Sequence, residues 1–443
     1  MSDYQTILNS IPKDWEVKSI SELGVVVGGG TPTRDISTYW NGNIPWITPG
    51  EVSKINNKFV INSVDKITEQ GLYASGANLL PEGSLLVTSR ATLGARAICS
   101  KPMATNQGFK SIIFNNKSDA GFYYHFFGLL KPEMARRASG TTFLEISSKE
   151  FSSIPLPYPP DNERTKIAHI LDTVDTEIQQ TELLIEKLQL VKEGLLNDLL
   201  TRGIGVDGQL RPSFQQAPHL YKKSPLGWIP KEWHTGELDN ALNNIEAGKS
   251  PSCPDIPAHT GEWGVLKVSA VHPDGFREHE NKVVEPAELQ DERYEVKSGD
   301  LLITRANTPE LVGLPCLVHT DRERLMLSDK TLRLHVKEGY EKAFIFISLT
   351  QPYVRSQIQI AATGTSMSMK NISQNSLKRL NMKFPPHAEQ VLIAERILDA
   401  GRRISEENAL LKKMEQQKAG LMDDLLTGKV RVTELLNHQP PAQ

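Results

Sequence analysis

Two stretches of the chain carry the same apolar stripe. Between Asn162 and Leu200, the residues Ile167, Leu171, Val174, Ile178, Ile185, Leu188, Leu195 and Leu199 recur every three or four positions, with Thr181 filling one place. Ile393, Ile397, Ala400, Ile404, Leu411, Met414, Leu421 and Leu425 repeat the spacing, with Asn408 interrupting. This period predicts two long amphipathic helices with a coiled-coil seam. A double proline precedes each, Asp161 offers an N-cap, and Gly203 and Gly428 stand where the helices should stop. Each would run for about 39 residues, or roughly 58 Å. Alone, such a helix would expose about eight large side chains, each worth about 1.5 to 3 kcal/mol when buried, so the two must pair. The simplest pairing is antiparallel within one chain, which sets the flanking regions at opposite ends of a rod with pseudo-twofold symmetry. Pairing between chains is the alternative.

The flanking regions are mixed. Short strand-like runs bounded by turn residues (VVV after Gly24, SLLVTS, ARAIC and SIIFN, then VLKVSAV, DLLITR and LRLHV) are followed by helix-compatible DAGFYYHFFGLL and EKAFIFISLTQPYVRSQI. The fold class is therefore α/β in a loose sense, without the strand–helix alternation of a doubly wound sheet. The two regions also echo each other in order. IPKDW (11–15) returns as IPKEW (229–233), GSLLVTSRA (83–91) as GDLLITRAN (299–307), and SGTTF (139–143) as TGTSM (363–367). PYPPDNERTKIAHILD (157–172) returns as KFPPHAEQVLIAERILD (383–399), and GLLNDLL (194–200) as GLMDDLL (420–426). An unbroken series of this kind means a tandem duplication. The expected domains are residues 1–158, a long helix over 159–202, a Gly/Pro-rich linker over 203–227, a second domain over 228–384, a second long helix over 385–428 and a tail over 429–443.

Composition adds limits rather than direction. Apolar residues make up 39% and charged residues 23% of 443, the mix of a globular protein. No run approaches the roughly 20 apolar residues of a membrane span, and the first residues do not read as a signal peptide, so a cytoplasmic location is expected. Cys99, Cys253 and Cys316 are too few and too scattered for a disulfide framework or a zinc site, and the histidines show no metal-ligand spacing. A formal charge of -3 gives no overall basic signal, so any nucleic-acid binding must come from local clusters or from a basic partner.

The order of these motifs resembles the DNA-specificity subunit of type I restriction-modification systems over roughly residues 10–430. IPKDW and LGWIPKEW look like that family's domain starts, GGGTPTR followed by YWNGNIPWITPGEV like a first-domain segment, and PPxxE(Q/R)xxIA like the start of its central helices. The second half departs, with SPSCPD in place of TPTR and no clear IPWITPGEV. The resemblance implies two target-recognition domains, each reading half of a split site in double-stranded DNA, held apart by the helix pair. It also implies a non-catalytic chain that binds no cofactor itself. Two partner modification subunits would bring S-adenosylmethionine and methylate adenine N6, and a motor-nuclease restriction subunit can join to cleave. A rod of this length would set the heads about 35 to 50 Å apart, near one turn of DNA, which implies a gap of roughly five to eight base pairs.

Candidate DNA contacts follow from residue chemistry. Glycine-rich GGGTPTR suits close approach to a phosphate and offers Thr31, Thr33 and Arg34, but it lacks the spacing of a nucleotide-binding loop. Arg90 and Arg305 end matching strands, with Ser89, Thr304 and Asn307 beside them, and arginine is the usual reader of guanine edges. Gly140, Thr141 and Thr142, matched by Gly364, Thr365 and Ser366, form a small polar loop in each half. Thr48, Lys110, Lys249, Ser250, Lys267, Ser269, Lys330 and Lys370 complete the set, competing with ordinary turns and solvated lysines. Trp40, Trp46 and Trp263 read chiefly as packing aromatics.

Enzyme readings fare worse. PYPPD and KFPPH share only the double proline with a [DN]PP[YF] methyltransferase motif. Pro254, Asp255, Glu295 and Lys297 loosely match a nuclease pattern that has no counterpart in the other half. The rival from another class is a coiled-coil scaffold whose end domains bind proteins.

Overall fold

The computed structural model describes residues 4–55, 57–90, 92–140, 144–364 and 369–437. Contacts divide the chain into two compact units, residues 1–185 with 406–443 and residues 186–405. The division falls inside both long helices, Asp161–Thr201 and His387–Leu426. Each unit thus holds one mixed domain, the first part of one helix and the last part of the other.

In the first unit, five strands run in the order Gly24–Gly28, Lys110–Phe114, Leu85–Val87, Arg96–Cys99 and Phe59–Val60. A second sheet places Trp40–Ile47 between Asp65–Ile67 and Ala104–Thr105. Leu85, Val87 and Ile112 bury one face of the larger sheet against Phe122, Phe126 and Phe127, and the same core takes in Ile167 and Leu171 from the first long helix and Leu425 and Leu426 from the second. The start of one helix therefore packs beside the end of the other, which makes the pairing antiparallel. Thr181 meets Met414 at 3.9 Å, and Asp175 pairs with Lys418.

The second unit repeats the frame. Its main sheet runs Leu242–Ala247, Thr331–Val336, Leu301–Thr304 and Pro315–Leu317, and Gly264–Leu266 lies between Asn281–Val283 and Leu325–Met326. Leu199 and Leu200 share its core with Ile393, Ala394 and Ile397, so the helices pair antiparallel here too, within one polypeptide.

The stripe is buried much as its spacing predicts, except that Glu407 rather than Asn408 takes the half-buried place in the second helix. Gly203 and Gly428 end the helices at φ +67° and +73°, a left-handed conformation that glycine adopts without strain. Asp161 differs from expectation. The Pro160 carbonyl accepts the Arg164 N–H at 3.0 Å, which puts Asp161 inside the first turn. Its carboxylate instead takes hydrogen bonds from Asn116 and Ser118 at 3.1 Å each. No described helix is long and apolar enough to cross a membrane.

Each long helix starts at a buried ion pair. Glu163, 2% exposed, accepts from Arg431 Nε at 3.0 Å, and Arg431 also donates to Asp14 at 2.7 and 2.8 Å, with its guanidinium near the Trp15 ring. Glu389, 6% exposed, accepts from Arg211 Nη2 at 2.9 Å, from the Trp233 indole at 3.0 Å and from the Ile204 amide at 2.8 Å. The parts correspond: the acid and tryptophan of IPKDW or IPKEW, a glutamate in the first turn of one helix, and an arginine just past the end of the other. Hydrogen bonds to Glu163 and Asp14 push the Arg431 guanidinium above its already high range. Burial works against the charge on Arg211, and the hydrogen bonds and charge of Glu389, with Glu232 and Tyr221 nearby, together outweigh it.

A further junction ties the first domain to its helix. In the first unit, the His125 Nε2–H donates to Asp172 at 2.7 Å, and Lys58 donates to the same carboxylate at 2.7 Å. Burial pulls the His125 imidazole below its ordinary range, with the Asp172 hydrogen bond offsetting only part of this. Asp172 is held low despite its own burial, by His125 and Lys58.

Two outcomes follow. Arg211→Ala should leave Glu389 buried and unpaired and destabilise the second unit by about 3 to 5 kcal/mol, read by urea unfolding, with Glu389→Gln in the same chain recovering part of the loss. The native His125 resists protonation while the unfolded chain takes up a proton as pH falls through about 6.5. Stability is therefore full above that pH and declines below it, with Asp172 adding a further loss only under about pH 4. The melting temperature should drop between pH 7 and 5, and by less in a His125→Gln variant.

Candidate nucleic-acid interface

The glycine-rich loop of the first domain is anchored by backbone hydrogen bonds and close backbone packing. Gly30 N–H donates to the Thr105 carbonyl at 2.9 Å, and a Cβ on Gly29 would drive into the carbonyl oxygens of Thr105 and Asn106. Close packing is what requires glycine there. Thr31 donates to Gln107 at 2.5 Å. The second domain builds the same loop from different residues: Lys249 N–H donates to the Leu327 carbonyl at 3.2 Å, Gly248 lies against that carbonyl, and Ser250 donates to Asp329.

With these anchors the two halves align residue by residue. Trp46 pairs with Asp65 and Ala104, and Val265 pairs with Lys282 and Met326. IPWIT therefore does have a counterpart, at Trp263–Lys267, which its sequence conceals. The same registers move the expected match of Arg90 with Arg305. Ser89 N–H donates to the Gly108 carbonyl and Ser89 O accepts from Ile146, whereas Arg305 makes these bonds to Lys330 and Ile372. Arg90 bridges Glu145, as Ala306 pairs with Asn371. Arg305 thus occupies the place of Ser89, because the first strand carries one more residue before its arginine.

Other expected contacts fall as follows. Thr33 is exposed, and its carbonyl accepts from the Trp40 indole at 3.1 Å. Thr48 caps the short helix Pro49–Val52, with its hydroxyl on Glu51 at 2.7 Å. Ser89 and Thr304 are fully buried, and the Thr304 hydroxyl donates to the Leu311 carbonyl at 2.6 Å. Arg90 and Arg305 are exposed. Lys110 lies half-buried 3.9 Å from Glu145. Gly140 and Gly364 open the two polar loops at φ +124° and +137°; Thr141, Thr142, Thr365 and Ser366 lie outside the described residues. Lys370 reaches the Gly364 carbonyl at 2.6 Å and pairs through its backbone with Asn307.

Ser250, Lys267, Ser269 and Lys330 come together, lining one cleft of about 350 Å³ with Asp255 and Lys282. Ser269 donates to Glu280 at 2.7 Å, and Lys249 stands 3.8 Å from Asp291. In the first domain, the Arg34 guanidinium lies 3.9 Å from the Trp40 ring and donates to Asp65 at 2.7 Å. Trp46, 2% exposed, meets Trp40 edge to face and donates to the Gly30 carbonyl. Packing thus accounts for both tryptophans, and Trp40 also serves as the platform for Arg34. Sequence reasoning did not single out Asp65, Lys282 or Asp255 for this role. Among the described residues, no group of three or more His, Cys, Asp or Glu is placed to hold a metal ion.

Two copies of one α/β frame with different exposed side chains, each packed on its part of an antiparallel helix pair, define a two-module protein whose modules share a fold and differ in surface. The profile of the family described as "Type I restriction modification DNA specificity domain" matches residues 12–190. The type I restriction enzyme MjaIX specificity subunit of Methanocaldococcus jannaschii is 26% identical over 446 residues, 97% of each chain. The EcoEI specificity subunit of Escherichia coli is 33% identical over 244 residues, 54% of this chain and 38% of that one. The S subunit of a type I restriction-modification system from M. genitalium shares the fold, with a TM-score of 0.60 over 94% of this chain and 96% of that one at 13% identity. Residues 12–190 thus match a type I restriction-modification DNA-specificity domain, and the chain is similar along nearly its whole length to specificity subunits of those systems.

The loop anchors give a local test. Gly29→Ala and Gly248→Ala should each cost about 1 to 3 kcal/mol in urea unfolding through overpacking, while Gly28→Ala, with nothing within 4 Å of the new Cβ, should be near neutral.

Proposed function

We propose that this chain is the DNA-reading subunit of a type I restriction-modification complex, with each domain reading one half of a bipartite site. The observation that carries the reading is the pair of matched loop-and-strand frames: the anchoring bonds repeat while the exposed side chains differ. The two modules share a fold and not a surface, which suits two half-sites of different sequence. Double-stranded DNA is the ligand. Two modification subunits bind to the chain and supply S-adenosylmethionine and adenine N6 methylation, restriction subunits join for cleavage, and the chain itself holds no cofactor and catalyses nothing. It works in the cytoplasm. Within each domain the exposed Arg34, Arg90, Lys249, Arg305 and Lys330 are the first candidates to meet DNA, the lysines at phosphates and the arginines at phosphates or base edges.

The test is to sequence methylated adenines in cells carrying the chain with its partner subunits. A two-part motif with an unread gap is expected, and exchange of residues 11–158 for those of another specificity subunit should change one half only. Methylation without a gapped motif, or complexes that bind random duplexes with no sequence preference at stated salt, would favour a scaffold whose end domains bind proteins.

A further inference from the structure

At one place in the shared frame the two domains carry opposite charge. The strand positions held by Trp46 and Val265 are equivalent, so their antiparallel partners Asp65 and Lys282 are equivalent too. The loop that follows the Thr31 or Ser250 anchor meets that position in each domain. In the first it brings Arg34, whose Nη2 donates to Asp65 at 2.7 Å. In the second it brings Asp255, whose Oδ1 stands 3.7 Å from Lys282 and 2.8 Å from Lys267, the residue in the place of Thr48. The polarity of the pair is reversed: cation on the loop and carboxylate on the strand in one domain, carboxylate on the loop and cation on the strand in the other.

Both loop side chains are exposed, Arg34 by 56% and Asp255 by 68%, and both are held in place. Arg34 lies over Trp40, and its only hydrogen bond among the described residues is the one to Asp65. Its other N–H donors remain uncommitted. Asp255 meets both lysines at Oδ1, and the carboxylate, 68% exposed, keeps acceptor positions open to solvent. Lys267 holds the Asp255 carboxyl below the usual range, so it is ionised and accepts only. A phosphate would be repelled by Asp255, and Asp65 already offsets the charge of Arg34. Base edges suit both groups better. Arginine forks onto guanine O6 and N7, whereas aspartate accepts from the cytosine N4 amine.

Resting on the reading of the chain as a DNA-recognition subunit, we infer that Arg34 and Asp255 are specificity-determining residues of opposite hydrogen-bond polarity. Arg34 reads the acceptor edge of a guanine in one half-site and Asp255 the amine of a cytosine in the other.

The methylated motif of the complete complex tests this, using Arg34→Ala, Arg34→Gln, Asp255→Ala and Asp255→Asn. Each alanine variant should lower discrimination at one base pair of its own half-site by about tenfold or more, and the glutamine and asparagine variants should shift that position toward adenine. The other half-site should stay as it was, which also reports that the chain is folded. An unchanged motif in both variants at a position, relaxation of both halves together, or loss of all methylation in both variants would overturn the assignment, the last two by giving the side chain a structural role. Absence of any gapped motif with the unaltered chain is a separate result, and would defeat the DNA reading itself.

Discussion

The architecture depends on a glutamate in the first turn of each long helix meeting an arginine from just beyond the end of the other. An apolar stripe ensures that two helices meet but does not fix where along their length, since a slide of about one heptad, roughly 10 Å, restores much of the same packing. A buried ion pair allows no such slide. Glu163 and Glu389 are almost fully buried, and displacing either from Arg431 or Arg211 would leave a charge in the core at a cost of several kcal/mol. Their place at a helix N-terminus adds a favourable dipole term. The pairs thus set the helix register more than they add stability. Because Asp14 and the Trp15 ring, or Glu232 and Trp233, join the same clusters, the register of the helices also orients each domain on its own helix pair.

Such a frame separates stability from recognition. The bonds that hold the loops run between backbone groups or from small hydroxyls, as in Gly30 to Thr105 and Lys249 to Leu327, and they tolerate different neighbours. The exposed pairs Arg34–Asp65 and Asp255–Lys282 contribute little to stability, since surface ion pairs are worth about 0 to 1 kcal/mol. Reversing their polarity in one domain leaves the strand pairing beneath unchanged.

How much of this the sequence discloses depends on the range of the interactions. The helices, their stops and their partnership were legible, because a stripe such as Ile167, Leu171, Ile185 and Leu199 is a local pattern. The duplication was legible from motif order. Strand register was not. Arg90 and Arg305 look equivalent in the sequence, yet hydrogen bonds to Gly108 and Lys330 make Ser89 the counterpart of Arg305, and nothing within either segment reports on a strand that follows some 20 residues later. Trp263–Lys267 was likewise hidden, since its likeness to IPWIT lies in pairing partners and not in side chains. The ion pairs had a trace in the repeated IPKDW/IPKEW and PPxxE segments. Neither arginine was legible, because a small turn at Gly205–Gln209 separates Arg211 from Gly203 whereas Arg431 follows Gly428 closely, so the two do not stand at matching positions of a repeated motif.

Different costs of change then follow for different parts of the chain. Altering Arg211 or Glu389 disturbs groups bonded to a helix start, a domain start and the segment after the other helix at once, so such changes are not additive with their neighbours. Altering Arg34 or Asp255 disturbs one exposed pair on one loop. A protein with its specificity on the second kind of residue can acquire a new half-site preference by a few substitutions without approaching its stability threshold. The same logic explains why the two halves have kept matching glutamates, tryptophans and arginines in their helix junctions while their exposed loops have come to carry opposite charge.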